Sequence, residues 1–228
     1  MPADASLTAD AFITQLVALR PANAAGADPY AGIGMGQIFK LAKEFQELPP
    51  AEIERLLEND NHAVKVGAVS VMDWQARARK TTDERRRELF DLYIRRHDRI
   101  DTWDLVDRAA IHVVGEYLVD KPRDILDALA GSKEPMERRT AMLSTYAFIR
   151  KGQLDDTYRI AEALMDDPDD LVHKAVGWML REAGKRDAAR QAAFLDAHAS
   201  TMPRVMLRYS IEKLDKTARD RYLAMKRG

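Results

Sequence analysis

The segment Lys65-Val-Gly-Ala68 introduces a pattern that recurs four more times along the chain. Each occurrence has a basic residue followed closely by small and apolar residues, at intervals of 31 to 43 residues. One such segment per helix pair is the period of HEAT-like or armadillo-like solenoids, in which small residues let neighbouring helices approach closely. The other four occurrences are Arg108-Ala-Ala-Ile111, Arg139-Thr-Ala-Met142, Lys174-Ala-Val-Gly177 and Arg208-Tyr-Ser-Ile211.

The hydrophobic period agrees with this interpretation, because it is helical almost everywhere and strand-like alternation is missing. Turn signals separate about a dozen predicted helices, and Pro50, Pro122, Pro135 and Pro203 fall at helix starts. A Thr81-x-x-Glu84 pattern predicts a capping box. The sequence therefore predicts an all-α helical repeat solenoid forming one domain over residues 1–228, with an N-terminal helix and loop over residues 1–30.

The composition limits the function classes. The 228 residues are 46% hydrophobic and include no cysteine, which excludes disulfides, thiolate catalysis and cysteine-ligated metals. No apolar run is long enough to cross a membrane, and the first 20 residues lack a signal-peptide pattern. We therefore expect a cytoplasmic protein that does not bind a membrane. With 36 Lys and Arg against 37 Asp and Glu, a nucleic-acid binder would have to concentrate its positive charge on one face.

Few local motifs carry chemistry. The five histidines form no metal-ligand spacing, and no metal or cofactor is expected. The glycines of Gly32-Ile-Gly34-Met-Gly36 are interpreted as a flexible loop before a helix, with phosphate contact as the alternative. Trp74 is interpreted as a core residue.

The stretch Asp101-Thr-Trp-Asp-Leu-Val-Asp107 reads as a helix start with Asp101 as the N-cap. Trp103 and Asp107 are four residues apart, so a helix places them on one face. Taken alone, this pair is interpreted as a core tryptophan and a solvated or capping aspartate.

The chain resembles the bacterial DNA alkylation repair family of AlkD-type alkylpurine DNA glycosylases. The resemblance is carried by the segment from Val172 to Lys185, by Trp103-x-x-x-Asp107, by Arg138-Arg139-Thr-Ala and by the stretch from Met202 to Lys213. The resemblance runs from about residue 30 to the C-terminus. It implies a C-shaped stack of HEAT-like repeats with duplex DNA in the concave face. It also implies hydrolysis of the N-glycosidic bond of cationic N3- or N7-alkylated purines, without a pocket enclosing the base.

The resemblance assigns roles to individual residues. The catalytic Trp-x-x-x-Asp pair falls on Trp103 and Asp107, the second cleft tryptophan on Trp178, and the phosphate-contacting arginine on Arg139, with Arg138 as the alternative. The basic residues of the repeated segment, Lys174 and Arg108, are further candidates for DNA contact. We expect a monomer acting on double-stranded DNA that contains alkylated bases.

One departure keeps other functions open. The family often has a Gly-hydrophobic-basic-x-Pro-x-x-Arg segment near the start, whereas the stretch from Gly32 to Phe39 lacks the proline and the arginine. DNA contacts from the N-terminal repeat are therefore in doubt. The alternatives are a non-catalytic DNA-binding repeat protein of the same family and a HEAT-like scaffold for a protein partner.

Overall fold

A computed structural model describes residues 7–225, and throughout this range the regular secondary structure is helical, with no strand. The first six residues of the predicted N-terminal segment lie outside the described residues. The chain divides into two compact units, Met1–Val113 and Val114–Gly228. The prediction of an all-helical fold is confirmed, while the single domain stays a prediction.

The first unit contains helices α1 to α6. Helix α4 packs against α2 on one side and α6 on the other, and α3 and α5 also contact it. Its N-cap is Asn61, whose side chain accepts from the backbone N–H of Ala63, and most of its residues are buried. The helices are α1 (Ala9–Ala18), α2 (Met35–Glu44), α3 (Pro50–Leu57), α4 (His62–Arg77), α5 (Asp83–Arg95) and α6 (Trp103–Ala109), with a 3₁₀ turn at His97–Arg99.

A π-helical segment, Ala110–Gly115, follows α6 directly. The second unit continues with a series in which α9, α11 and α13 pack side by side, while α8, α10, α12 and α14 contact them from outside that series. Its helices are α7 (Glu116–Leu118), α8 (Asp124–Ala130), α9 (Pro135–Arg150), α10 (Asp155–Ala163), α11 (Asp170–Gly184), α12 (Ala188–His198), α13 (Arg204–Ile211) and α14 (Lys216–Ala224).

The five repeated segments begin on α4, α6, α9, α11 and α13, and the second of them runs on into the π-helical segment. Within the units, α4 packs against α6, and α11 packs against α9 and α13. Gly177 shows why the small residues are needed. A Cβ at this position would lie 2.5 Å from the carbonyl oxygen of Met206 and 2.5 Å from the Cβ of Tyr209. The prediction of stacked helix pairs with close approach at small residues is thus confirmed.

Three helix starts differ from the prediction. Thr82 caps α5 by accepting from the N–H of Arg85, so the capping box at Thr81 is wrong; the Thr81 hydroxyl donates to the carbonyl of Gln75 instead. Pro50 and Pro135 occupy first helical positions as predicted, whereas Pro203 is an N-cap and Pro122 precedes α8. None of the described helices is long and apolar enough to cross a membrane.

Candidate active site

Helix α6 carries the predicted pair Trp103 and Asp107. The helix begins at Trp103 after the extended residue Thr102. Leu105, Val106 and Ala109 are buried, which fixes the orientation of the helix. Trp103 is nevertheless 51% exposed, so it is not a core residue, and Asp107 is partly exposed one turn later. A large aromatic side chain in water beside a carboxylate is a feature of binding sites rather than of cores.

The N-cap prediction at Asp101 is wrong, because Thr102 occupies that position. Asp101 instead forms an ion pair with Lys65 of α4, with Nζ and Oδ2 2.9 Å apart. The neighbouring Asp104 carboxylate lies 2.8 Å from Nε2 of His62 and accepts from the Thr102 hydroxyl at 2.7 Å. The contacts with Lys65 and His62 tie the start of α6 to α4.

A buried carboxylate holds the second half of α6. Asp73 on α4 is fully buried, and its oxygens lie 2.9 Å from Nη1 of Arg108 and 2.6 Å from Nδ1 of His112 in the π-helical segment. Nε of Arg108 also donates to the Ser70 hydroxyl at 3.0 Å. Burial lowers the pKa of the Arg108 guanidinium, while Asp73 opposes this shift. The contacts of Arg108 with Asp73 and Ser70 therefore join α6 to α4. A contact of Arg108 with DNA stays a prediction.

Sequence reasoning missed Asp73 and His112. Asp73 is 35 residues from Arg108 and 39 residues from His112 in the sequence, so no local spacing connects these three side chains. A π-helical segment beside such a network is itself a signal, since π-bulges frequently occur at functional sites.

The two arginines predicted to contact phosphate are both engaged within the second unit. Arg139 on α9 is buried, and its Nη1 donates to the carbonyl of Leu171. Arg138 forms two bonds to Asp167, from Nε at 2.5 Å and from Nη2 at 3.1 Å, and Asp167 raises the pKa of Arg138. A phosphate contact by either arginine stays a prediction.

Trp178 on α11 is half-buried and packs beside Tyr146 of α9, with ring centroids 6.5 Å apart. One turn earlier, Lys174 is partly exposed and has no ion pair within the described part of the chain. The adjacent Gly177 brings α13 close, and Tyr209 on that helix is 39% exposed. Helix α11 of the second unit thus carries a half-buried tryptophan and, one turn earlier, a lysine without an ion pair in the described residues. Tyr146 was not singled out from the sequence.

The repeated basic residues have different environments. Those of the first three segments, Lys65, Arg108 and Arg139, have intramolecular partners, while Lys174 and the exposed Arg208 have no ion pair among residues 7–225. The five basic residues at equivalent repeat positions are therefore not equivalent in their contacts.

The glycine loop and the metal-ligating side chains were also considered as possible sites in the sequence. The backbone N–H of Gly34 donates to Oε1 of Gln37 at 3.0 Å, so this amide of the glycine loop is already satisfied. Among the described residues, no group of three or more histidine and acidic side chains is arranged to hold a metal ion.

Comparison with known families gives a match over most of the chain. The family described as "DNA alkylation repair enzyme" matches residues 17–214, which include α6 and the whole of α9, α11 and α13. No curated protein matches the chain.

Proposed function

Because the chain belongs to the DNA alkylation repair enzyme family, we propose that it is a DNA glycosylase for purines alkylated at N3 or N7 in duplex DNA. The observation that carries this proposal is the half-exposed Trp103, one helical turn before Asp107 on α6. A scaffold for a protein partner has no need of a carboxylate paired with an aromatic plane in this way.

The chemistry requires little from the protein. A purine alkylated at N3 or N7 carries a positive charge, so when the bond from C1′ to nitrogen breaks, the electron pair neutralises the departing base. The sugar is left with oxocarbenium character, which a nearby carboxylate stabilises. Water then forms a bond to C1′ and loses a proton, giving an abasic site. Asp107 is the proposed carboxylate, and it also orients the water.

The remaining residues are proposed to bind and position DNA. The electron-rich faces of Trp103 and Trp178 favour a cationic lesion. Arg139 is proposed to contact a phosphate, because a planar guanidinium suits phosphate oxygens and such a contact carries no sequence information. We propose that the protein acts as a monomer and leaves the base outside any enclosing pocket, unlike base-flipping enzymes. Selectivity then comes from the charge and lability of the lesion.

The second candidate is a non-catalytic DNA-binding protein of the same family. It stays open because the N-terminal segment lacks the family's proline and arginine. The two candidates separate on one measurement. Incubation with duplex DNA containing 7-methylguanine yields free base and abasic sites if the protein is a glycosylase, and intact DNA if it only binds.

The substitution Asp107→Asn tests the catalytic role. It keeps the shape of the side chain but removes the charge that acts on the developing cation, so more stabilisation is lost in the transition state than in the ground state. We expect the single-turnover rate of base release to fall about tenfold to a thousandfold, or about 1.4 to 4 kcal/mol. Affinity for DNA holds or rises, because a carboxylate that repels phosphates has been neutralised.

The matched control is Asp104→Asn on the same helix. This change weakens the contacts to His62 and Thr102. His62 is half exposed, so the stability cost is about 0 to 1 kcal/mol. Base release should stay close to the wild-type rate. If Asp107→Asn also leaves the rate unchanged, Asp107 is not the catalytic carboxylate.

A further inference from the structure

Three cationic side chains surround the Trp74 ring in the first unit. Nζ of Lys43 and Cζ of Arg77 each lie 5.0 Å from the ring centroid, and Cζ of Arg108 lies 5.6 Å from it. The indole N–H donates to the carbonyl of Phe39 at 3.1 Å, which fixes the ring. Trp74 was predicted to be a core residue, but it is half-buried. Its ring acts as a platform that holds cations by cation–π attraction.

The charges of this cluster do not cancel. Lys43, Arg77 and Arg108 contribute three positive charges, and the paired carboxylate is that of Asp73, so the cluster keeps about two positive charges at neutral pH. Asp73 is buried beneath Arg108, whereas Arg77 is 44% exposed. Lys43 is exposed and has no ion pair to a carboxylate in the described range. In a chain with a net charge of -1, this is a local concentration of positive charge.

The cluster joins the helix that carries the candidate catalytic pair. Lys43 lies on α2, Trp74 and Arg77 lie on α4, and Arg108 lies on α6 next to Asp107. These three helices pack in series, α2 against α4 and α4 against α6. An anion bound at Trp74 would therefore contact the same helical row that presents Trp103.

We propose that Lys43 and Arg77, held by Trp74 and supported by Arg108, bind the phosphate backbone of duplex DNA. The identity of the partner rests on the proposed function, while the site itself rests on the cluster. Phosphate is favoured over bases because cations lie over the Trp74 ring where a base would stack, and because ammonium and guanidinium groups suit phosphate oxygens. Prior placement of the two cations reduces the entropy lost on binding.

The test measures affinity for an undamaged duplex as a function of salt concentration. Lys43→Ala and Arg77→Ala should each weaken binding and reduce the slope of log affinity against log salt by about one, and the double variant by about two. The loss should be the same for duplexes of different sequence. Lys80→Ala is the control, because Lys80 is a 69% exposed cation of the same unit whose charge is paired with Glu47.

Failure of this site and failure of the glycosylase proposal are distinguishable, because undamaged DNA requires no base release. Melting temperatures close to that of the wild type would show that the variants are folded, as expected for the exposed Lys43. Wild-type affinity and slope in Lys43→Ala and Arg77→Ala would overturn the site even in an active enzyme. A sequence-dependent loss would replace phosphate contact by base recognition and would also overturn it. Reduced slopes in a protein that releases no base would keep the site and remove the glycosylase.

Discussion

Asp73 in the first unit and Asp167 in the second are both buried aspartates paired with arginine, but they perform different tasks. Asp73 lies within helix α4 and contacts Arg108 on α6 and His112 in the π-helical segment. Asp167 lies before α11, where it binds Arg138 through two hydrogen bonds and accepts from the backbone N–H of Asp169 at 2.8 Å. One carboxylate joins two helices, and the other fixes a turn.

The two aspartate–arginine pairs therefore hold different parts of the molecule. The Asp73 network holds the helix on which Trp103 stays exposed, and the cations above it extend to the Trp74 platform. Arg138 also donates to the backbone carbonyls of Ser132 and Lys133, so the Asp167 network is completed by nearby backbone groups. We therefore expect the first network to influence DNA repair and the second to influence stability alone.

The largest effect is expected for Asp73→Ala. Removal of this carboxylate leaves the largely buried Arg108 without its counter-ion, which costs about 3 to 5 kcal/mol of unfolding free energy. Chemical denaturation measures this loss, and base release assayed below the new melting temperature should also fall because α6 loses its anchor. A variant with wild-type stability would show that Asp73 does not hold α6.

A smaller effect is expected for Asp167→Ala. Arg138 keeps its two backbone carbonyl partners, so the loss is that of charge-assisted hydrogen bonds, about 1.5 to 3 kcal/mol. Measured below its melting temperature, this variant should release base at the wild-type rate. Equal losses of activity in Asp73→Ala and Asp167→Ala would remove the distinction between the two networks.

The smallest effect is expected for Lys174→Ala, since this cation has no ion pair in the described structure. Stability should change by less than about 0.5 kcal/mol, as for surface substitutions away from special features. If Lys174 contacts a phosphate, the salt slope of DNA binding should fall by about one. Lys185→Ala is the control, because Lys185, the C-cap residue of α11, is paired with Glu182. An unchanged slope in Lys174→Ala would make this residue an ordinary surface lysine.

The sequence alone determined the helical fold and the helices that stack. The 3.6-residue period predicts helices almost everywhere, and Pro50 and Pro135 mark the starts of α3 and α9, because both signals act locally. The repeated segments identified α4, α6, α9, α11 and α13, since only small residues permit the approach seen at Gly177. The Trp-x-x-x-Asp spacing likewise fixed the shared face of Trp103 and Asp107 once α6 was a helix.

Tertiary structure decided which polar side chains have partners. Asp73, Arg108 and His112 come together only when α4 packs against α6, and Trp74 gathers Lys43 from a third helix. Arg139 and Lys174 open equivalent repeats, yet one is buried against the Leu171 carbonyl and the other has no ion pair within residues 7–225. Local sequence cannot separate such cases, because the energy of a charge depends on its burial and on partners brought from distant parts of the chain.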